Sequence, residues 1–135
     1  MRSSLTEAEA SFVRWERVGR FASVGAEGMP HVVPICPVLD GDVLVFASDP
    51  TAKIRNLRAD PRCAVVFDDY VEDWNLNHQV QIRGTATILE EGPEWERAKA
   101  LLDAKYPQYE PMFPIVAGEG LMVFVTIERV TSEGF

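Results

Sequence analysis

The stretch Ser48-Asp49-Pro50-Thr51-Ala52-Lys53-Ile54-Arg55-Asn56-Leu57-Arg58 carries the clearest chemical signal in the chain, because a strand-like apolar run ends there and a helix-like pattern begins. A helix N-terminus presents free backbone N–H groups and the positive end of its dipole, and both attract anions. Ser48 or Thr51 adds a hydroxyl, and Lys53 and Arg55 add charge, a set suited to a phosphate. The same residues also fit a plainer role, with Thr51 capping the helix and Lys53, Arg55 and Arg58 forming a solvated face. Spacing alone leaves both readings open.

Acid–base chemistry is sparsely provided for. His31 and His78 are the only histidines and lie far apart, so spacing makes no metal pair of them and no metal site is expected. Asp68-Asp69 and Glu72-Asp73 read as a solvated acidic loop. Cys36 and Cys63 both fall in apolar, strand-like runs and are expected as buried, reduced thiols. There is no G-x-S-x-G elbow, Walker loop or G-x-G-x-x-G. A phosphate-type site without such machinery favours a protein whose reactive group arrives with its cofactor, and flavin chemistry fits that description.

The elements that must position these residues are legible from periodicity. Thr6-Glu7-Ala8-Glu9 has capping-box spacing and predicts a helix from about Thr6 to Arg17. Strand-like runs follow at Arg20 to Ala26, His31 to Leu39 and Asp42 to Ser48, separated by Glu27-Gly28 and Asp40-Gly41, and read as an antiparallel meander. Pro30, Pro34 and Pro37 require the second run to be bent or partly unpaired. A short helix over about Ala52 to Ala59 closes at Asp60-Pro61, and strands are expected over Arg62 to Phe67 and Gln79 to Leu89. Gly92-Pro93 opens a helix to about Lys105, the segment Gln108 to Glu119 reads as a loop, and Leu121 to Val130 is the last strand. Six mostly antiparallel strands with short helices describe one domain over residues 1–135, mainly β, a small six-stranded barrel.

Composition sets outer limits. The 135 residues carry a formal net charge of −8, which argues against nucleic acid because phosphate backbones need a basic face. No apolar run approaches the roughly 20 residues of a membrane span, and the polar start lacks a secretory signal's apolar stretch, so a soluble, cytoplasmic protein is expected.

Several stretches carry a family likeness. Residues Phe21 to Pro34 (FASVGAEGMPHVVP) and Lys53 to Arg62 (KIRNLRADPR), with Tyr70-Val71-Glu72-Asp73-Trp74 and Ala104-Lys105-Tyr106-Pro107-Gln108-Tyr109, stand in a fairly specific order and spacing. In them the chain resembles the pyridoxamine 5′-phosphate oxidase-like, FMN-binding split-barrel superfamily, and within it the subgroup dependent on coenzyme F420. The resemblance implies a split β-barrel, a homodimer with two cofactors in grooves between the subunits, and an oxidoreductase acting on a small conjugated substrate. It implies that the cofactor phosphate is held by Ser48, Thr51, Lys53 and Arg55, and that the ring lies near Val33, Pro34, Ile35 and Cys36. Coenzyme F420 is favoured over FMN because the subgroup likeness is closest there. The alternative is a non-catalytic binder or sensor of flavin or haem, with His31 or His78 as axial ligand candidates. Two departures stand out: Asn75-Leu76-Asn77-His78 replaces an aromatic pair common in relatives, and the chain ends in Phe135 where relatives carry a tryptophan-containing strand.

Overall fold

Thr6 and Glu9 form the capping box that their spacing implies, Thr6 Oγ1 accepting from the Glu9 N–H and the Glu9 carboxylate accepting from the Thr6 N–H. This starts α1 (Glu7–Trp15) in the computed structural model, which describes residues 2–135. The helix stops at Trp15, two residues short of expectation, because Glu16 is already extended. The strands are β1 (Gly19–Val24), β2 (Pro30–Ile35), β3 (Val38–Asp40), β4 (Val43–Ser48), β5 (Arg62–Asp68), β6 (Gln79–Leu89) and β7 (Leu121–Glu133). Between them lie α2 (Ala52–Ala59), α3 (Pro93–Lys105) and α4 (Tyr109–Met112). The last of these is a single turn inside the segment expected to be a loop.

The architecture is mainly β, and its strand count is seven rather than six. The expected second run, His31 to Leu39, is two strands that pair with different partners: β2 with β1, and β3 with β4. The meander therefore breaks at Cys36-Pro37. All pairings are antiparallel, in the order β2-β1-β5-β6-β7-β4-β3, so these two residues join the opposite edges of one sheet. Laid flat at about 4.8 Å per strand, those edges would be about 29 Å apart, whereas two linking residues span about 11 Å at most. The sheet must curl into a half-barrel whose edges approach without pairing.

Alternation along the strands fills the inside of the curl. Phe21, Ile35, Leu44, Phe46, Val65, Phe67, Val80, Ile82, Val123 and Val125 pack there with Ile54 and Leu57 of α2 and Val13 of α1. A second cluster forms outside β4 and β7, where Trp95, Ala98 and Leu102 of α3 pack on Val45 and Met122. The outer face of β1, β5 and β6 has no such cover. Ala22, Val24 and Ala64 floor a shallow depression there, with Arg62 and Arg83 at its rim. A bulge at Arg83/Gly84 lets β6 follow the curl, and a Cβ on Gly84 would sit 2.0 Å from the Thr126 carbonyl oxygen.

Among the described residues one carboxylate is wholly buried. Glu9 is 0% exposed and accepts from Arg2 Nη1 at 2.8 Å and from the Ser132 hydroxyl, while Arg2 also bridges β7 through the backbone of Val130. The hydrogen bond from Arg2, more than any other contact, holds the Glu9 carboxyl at a pKa of about 2. Its folded value lies below its unfolded one, so the stabilisation is present above about pH 4.5 and fades as pH falls towards 2. Glu9→Gln is expected to cost about 2 kcal/mol at pH 7. Urea unfolding should show that gap closing between pH 4.5 and 2, and a gap unchanged at pH 2 would exclude this linkage.

Candidate functional site

Pro50 and Thr51 end the run of β4 and launch α2, and the helix begins without a side-chain cap: Thr51 Oγ1 accepts nothing from the first-turn N–H groups. It accepts instead from Lys53 Nζ at 3.0 Å. Lys53 is half-buried, and burial lowers its pKa against the opposing pull of Asp49. Among the described residues no carboxylate lies within ion-pair distance of it, whereas Arg58 pairs with Glu90 and Arg62 with Asp60. A partly desolvated cation beside free N–H groups is the arrangement a phosphate dianion satisfies. Arg55 is exposed on the same turn. Ser48 is buried and its hydroxyl donates to the Asp49 carbonyl at 2.7 Å, so its hydrogen is already committed.

The other four expected contacts sit on the free edge of the sheet. As the outermost strand, β2 leaves one row of backbone groups unpaired. Val33 and the buried Ile35 face inward, Pro34 faces outward, and Cys36 is exposed on the connector. The expectation of a buried thiol at Cys36 is thus overturned, because the strand ends before it. Cys63 is buried and free, and burial raises its thiol to about 12. The two groups of residues meet through β1: Asn56 of α2 donates to Ser23 at 3.1 Å, and Ser23 lies opposite His31, two residues before Val33. The His31 Nδ1 is buried with no partner, an orphaned polar atom between the phosphate-type corner and the β2 edge. The residues present therefore fit an elongated ligand with an anionic end.

A larger cleft, about 630 Å³, opens where β5 turns into β6 and is lined by Arg20, Val66, Asp69, Trp74, His78 and Glu133 among others. The β5–β6 register pairs Asp68 with Gln79, so Asp69 and His78 face each other across the loop. The His78 N–H donates to Asp69 Oδ1 at 2.7 Å, and its Nδ1 lies 2.8 Å from Asp69 Oδ2. The backbone hydrogen bond from His78 is the main reason the Asp69 carboxyl lies below its ordinary range. Beside it, Arg20 pairs with Asp68 at 2.9 Å. The loop expected to be merely solvated is thus organised: Val71 N–H donates to Asn77 Oδ1, Asp73 caps the turn Trp74–Leu76, and Trp74 Nε1 donates to the Tyr70 hydroxyl. Sequence reading missed the Asp69–His78 pair, and the nine-residue spacing across a hairpin was the available sign.

Phe135 is not a frayed end. Its ring centroid lies 5.1 Å from that of His78 and 5.4 Å from that of Phe12, which itself lies 5.5 Å from His78. Gly134 permits this with a φ of 92°, and a Cβ there would meet the Asn77 carbonyl oxygen at 2.5 Å.

The family model described as pyridoxamine 5′-phosphate oxidase matches residues 5–132. A 5a,11a-dehydrotetracycline/5a,11a-dehydrooxytetracycline reductase from Streptomyces rimosus subsp. rimosus is 36% identical over 93 residues, 64% of this chain and 66% of that protein. The chain thus spans just under two thirds of that relative's length. Among solved structures, a heme binding protein from Mycobacterium smegmatis superposes with a TM-score of 0.81 at 23% identity, covering 99% of this chain and 55% of that one. An F420 reductase superposes with a TM-score of 0.71 at 20% identity, covering 94% and 98%. Both likenesses are likenesses of fold.

Gly134→Ala is expected to release the tail rather than unfold the barrel, at a cost of about 1 kcal/mol. Phe135→Ala should remove the same ring from His78 without backbone strain. Proton NMR should then show the His78 ring resonances shifted in the same direction in both variants. Unshifted resonances would mean that the contact is absent in solution.

Proposed function

The chain belongs to the pyridoxamine 5′-phosphate oxidase family, and from that premise we propose that it is a flavin- or deazaflavin-dependent oxidoreductase, with coenzyme F420 favoured over FMN. It moves a hydride or electron pair between that cofactor and a small conjugated organic substrate. The single observation carrying this reading is the partly buried Lys53, unmatched by any described carboxylate, at the uncapped start of α2. Lys53, Thr51 and Arg55 hold the phosphate as donors, and Ser48 would join them only by turning its hydroxyl away from the Asp49 carbonyl. The backbone of Val33, Pro34, Ile35 and Cys36 lies along the ring. The cofactor supplies the redox chemistry when bound, and the protein supplies orientation, charge and exclusion of water. The relative that reduces a dehydro compound and the fold neighbour that is an F420 reductase support the direction of this reading.

The working unit is a homodimer. The outer face of β1, β5 and β6 carries an apolar floor with no helix over it, next to exposed Met29 and Val32. A second copy covers such a face and turns the free β2 edge into the wall of a groove. Sedimentation at micromolar concentration should give twice the chain mass, and a clean monomer would remove the groove.

A second reading, a non-catalytic haem binder, draws on the His78–Asp69 pair, because a carboxylate on one ring nitrogen commonly supports an imidazole that ligates metal through the other. Absorption spectra separate the two. Titration with FMN or F420 should show saturable binding, whereas a Soret shift on adding haemin that disappears in His78→Ala would favour haem.

Lys53→Ala should weaken FMN or F420 binding ten- to a hundredfold, since one charge-assisted contact is worth about 1.5–3 kcal/mol. Arg58→Ala, already paired with Glu90, should have a smaller effect. Equal affinity in wild type and Lys53→Ala would return this lysine to the solvated face.

A further inference from the structure

We propose that a pocket beside the end of β4 binds a primary or secondary aryl-alkyl ammonium ion. The pocket opens between the end of β4, the turn α4 and the segment that leads into β7, and encloses about 300 Å³, room for one ring and a short chain. Ser48, Asp49, Tyr109, Phe113, Ile115 and Glu119 line it. It borders the α2 corner at Ser48 and Asp49, yet its chemistry is independent of any cofactor held there and of the oxidoreductase reading.

Three properties of the lining set the ligand class. The first is an unfilled acceptor: Ser48 is 8% exposed, and its hydroxyl gives its hydrogen to the Asp49 carbonyl at 2.7 Å. Among the described residues nothing donates to its oxygen, so a buried hydroxyl lines the pocket with its lone pairs unmet. A ligand N–H satisfies that oxygen, whereas an anionic oxygen would meet a lone pair. The second is charge. Asp49 and Glu119 are exposed at the mouth, and among the described residues neither has a cation within ion-pair distance. Lys53 feels the Asp49 charge but turns its Nζ to Thr51 instead. The net charge of −8 draws cations towards such a mouth and repels anions. The third is the apolar wall, in which Tyr109 and Phe113 stand at the two ends of α4 and Ile115 is buried beneath. Aromatic side chains favour both a flat ring and an ammonium group. This wall is set before any ligand arrives: the Phe113 N–H donates to the Tyr109 carbonyl at 2.8 Å, the Gly120 N–H to the Val116 carbonyl at 2.8 Å, and Trp95 Nε1 to the Gly120 carbonyl at 3.0 Å. A preformed pocket loses little free energy to ordering when it fills.

The test is a titration of the isotope-labelled protein with phenethylamine, read by amide NMR shifts and by calorimetry at pH 7. Saturable shifts are expected at Ser48, Asp49 and residues 113–120. Hydrocinnamate, of nearly the same shape and opposite charge, should not bind. The N-trimethylated form of the amine keeps the charge but has no N–H for Ser48, and should bind severalfold more weakly. Asp49→Asn and Glu119→Gln, both at exposed side chains, should each weaken the amine about two- to fivefold. Ser48→Ala should erase the preference for the amine over its trimethylated form while keeping the preference over hydrocinnamate. Shifts centred outside the pocket, equal affinity for amine and hydrocinnamate, or an affinity unmoved in the variant carrying both Asp49→Asn and Glu119→Gln would overturn the proposal. So would an amine titration that shows no saturable shift by about 10 mM, where even a weak site of this size responds.

Discussion

Two residues, Cys36 and Pro37, hold the opposite edges of a seven-stranded sheet within about 11 Å of each other, and most of the molecule follows from that tether. The curl lets alternate residues of all the long strands converge on one interior. It also brings α2, which follows β4 near one edge, onto β1 near the other. The tether is gripped from outside by the end of α3: Lys105 Nζ donates to the Pro37 carbonyl at 2.9 Å, and the Tyr106 hydroxyl lies 2.8 Å from the same oxygen. Burial pushes Lys105 down to about 8 and raises Tyr106, so both groups tolerate this largely water-free position as hydrogen-bond donors.

The helices cover the curl unevenly. One side of the barrel is dressed by α3 and its tryptophan, and the other presents bare β-sheet with small apolar residues and two arginines. In a chain with net charge −8, the uncovered face is one place where cationic side chains, Arg62 and Arg83, stand beside apolar surface, and the Tyr106 ring with Arg17 and Lys105 over it is another. Anionic ligands repelled by the whole molecule would be held only by such local groups.

Much of this was legible in the residues. Alternation located every long strand, the Thr6–Glu9 spacing located α1, and Pro93 located α3, because these are local rules that the tertiary structure did not override. The break at Cys36-Pro37 was hidden because Val38 and Leu39 continue the apolar run across it, and only pairing with different partners separates β2 from β3. The prolines gave the sign of irregularity without its form. At the candidate site, the α2 corner could be found because its residues are contiguous. The Asp69–His78 pair could not be read as a unit, since it exists only once β5 and β6 pair in register, and Phe135 joins it from the far end of the sequence.

The sheet order has a consequence for how the chain comes to be folded. Without β7, the strands form two separate pieces, β2-β1-β5-β6 and β4-β3, because β7 alone hydrogen-bonds to both β6 and β4. It is also the latest strand to leave the ribosome, and the burial of Glu9 needs Ser132 from it. The nascent chain must therefore carry two incomplete sheets with open edges until that strand arrives, which makes folding of the barrel wait on long-range closure. Growth conditions that slow synthesis would lengthen the exposure of those edges, and aggregation would compete at that interval more than at any later one.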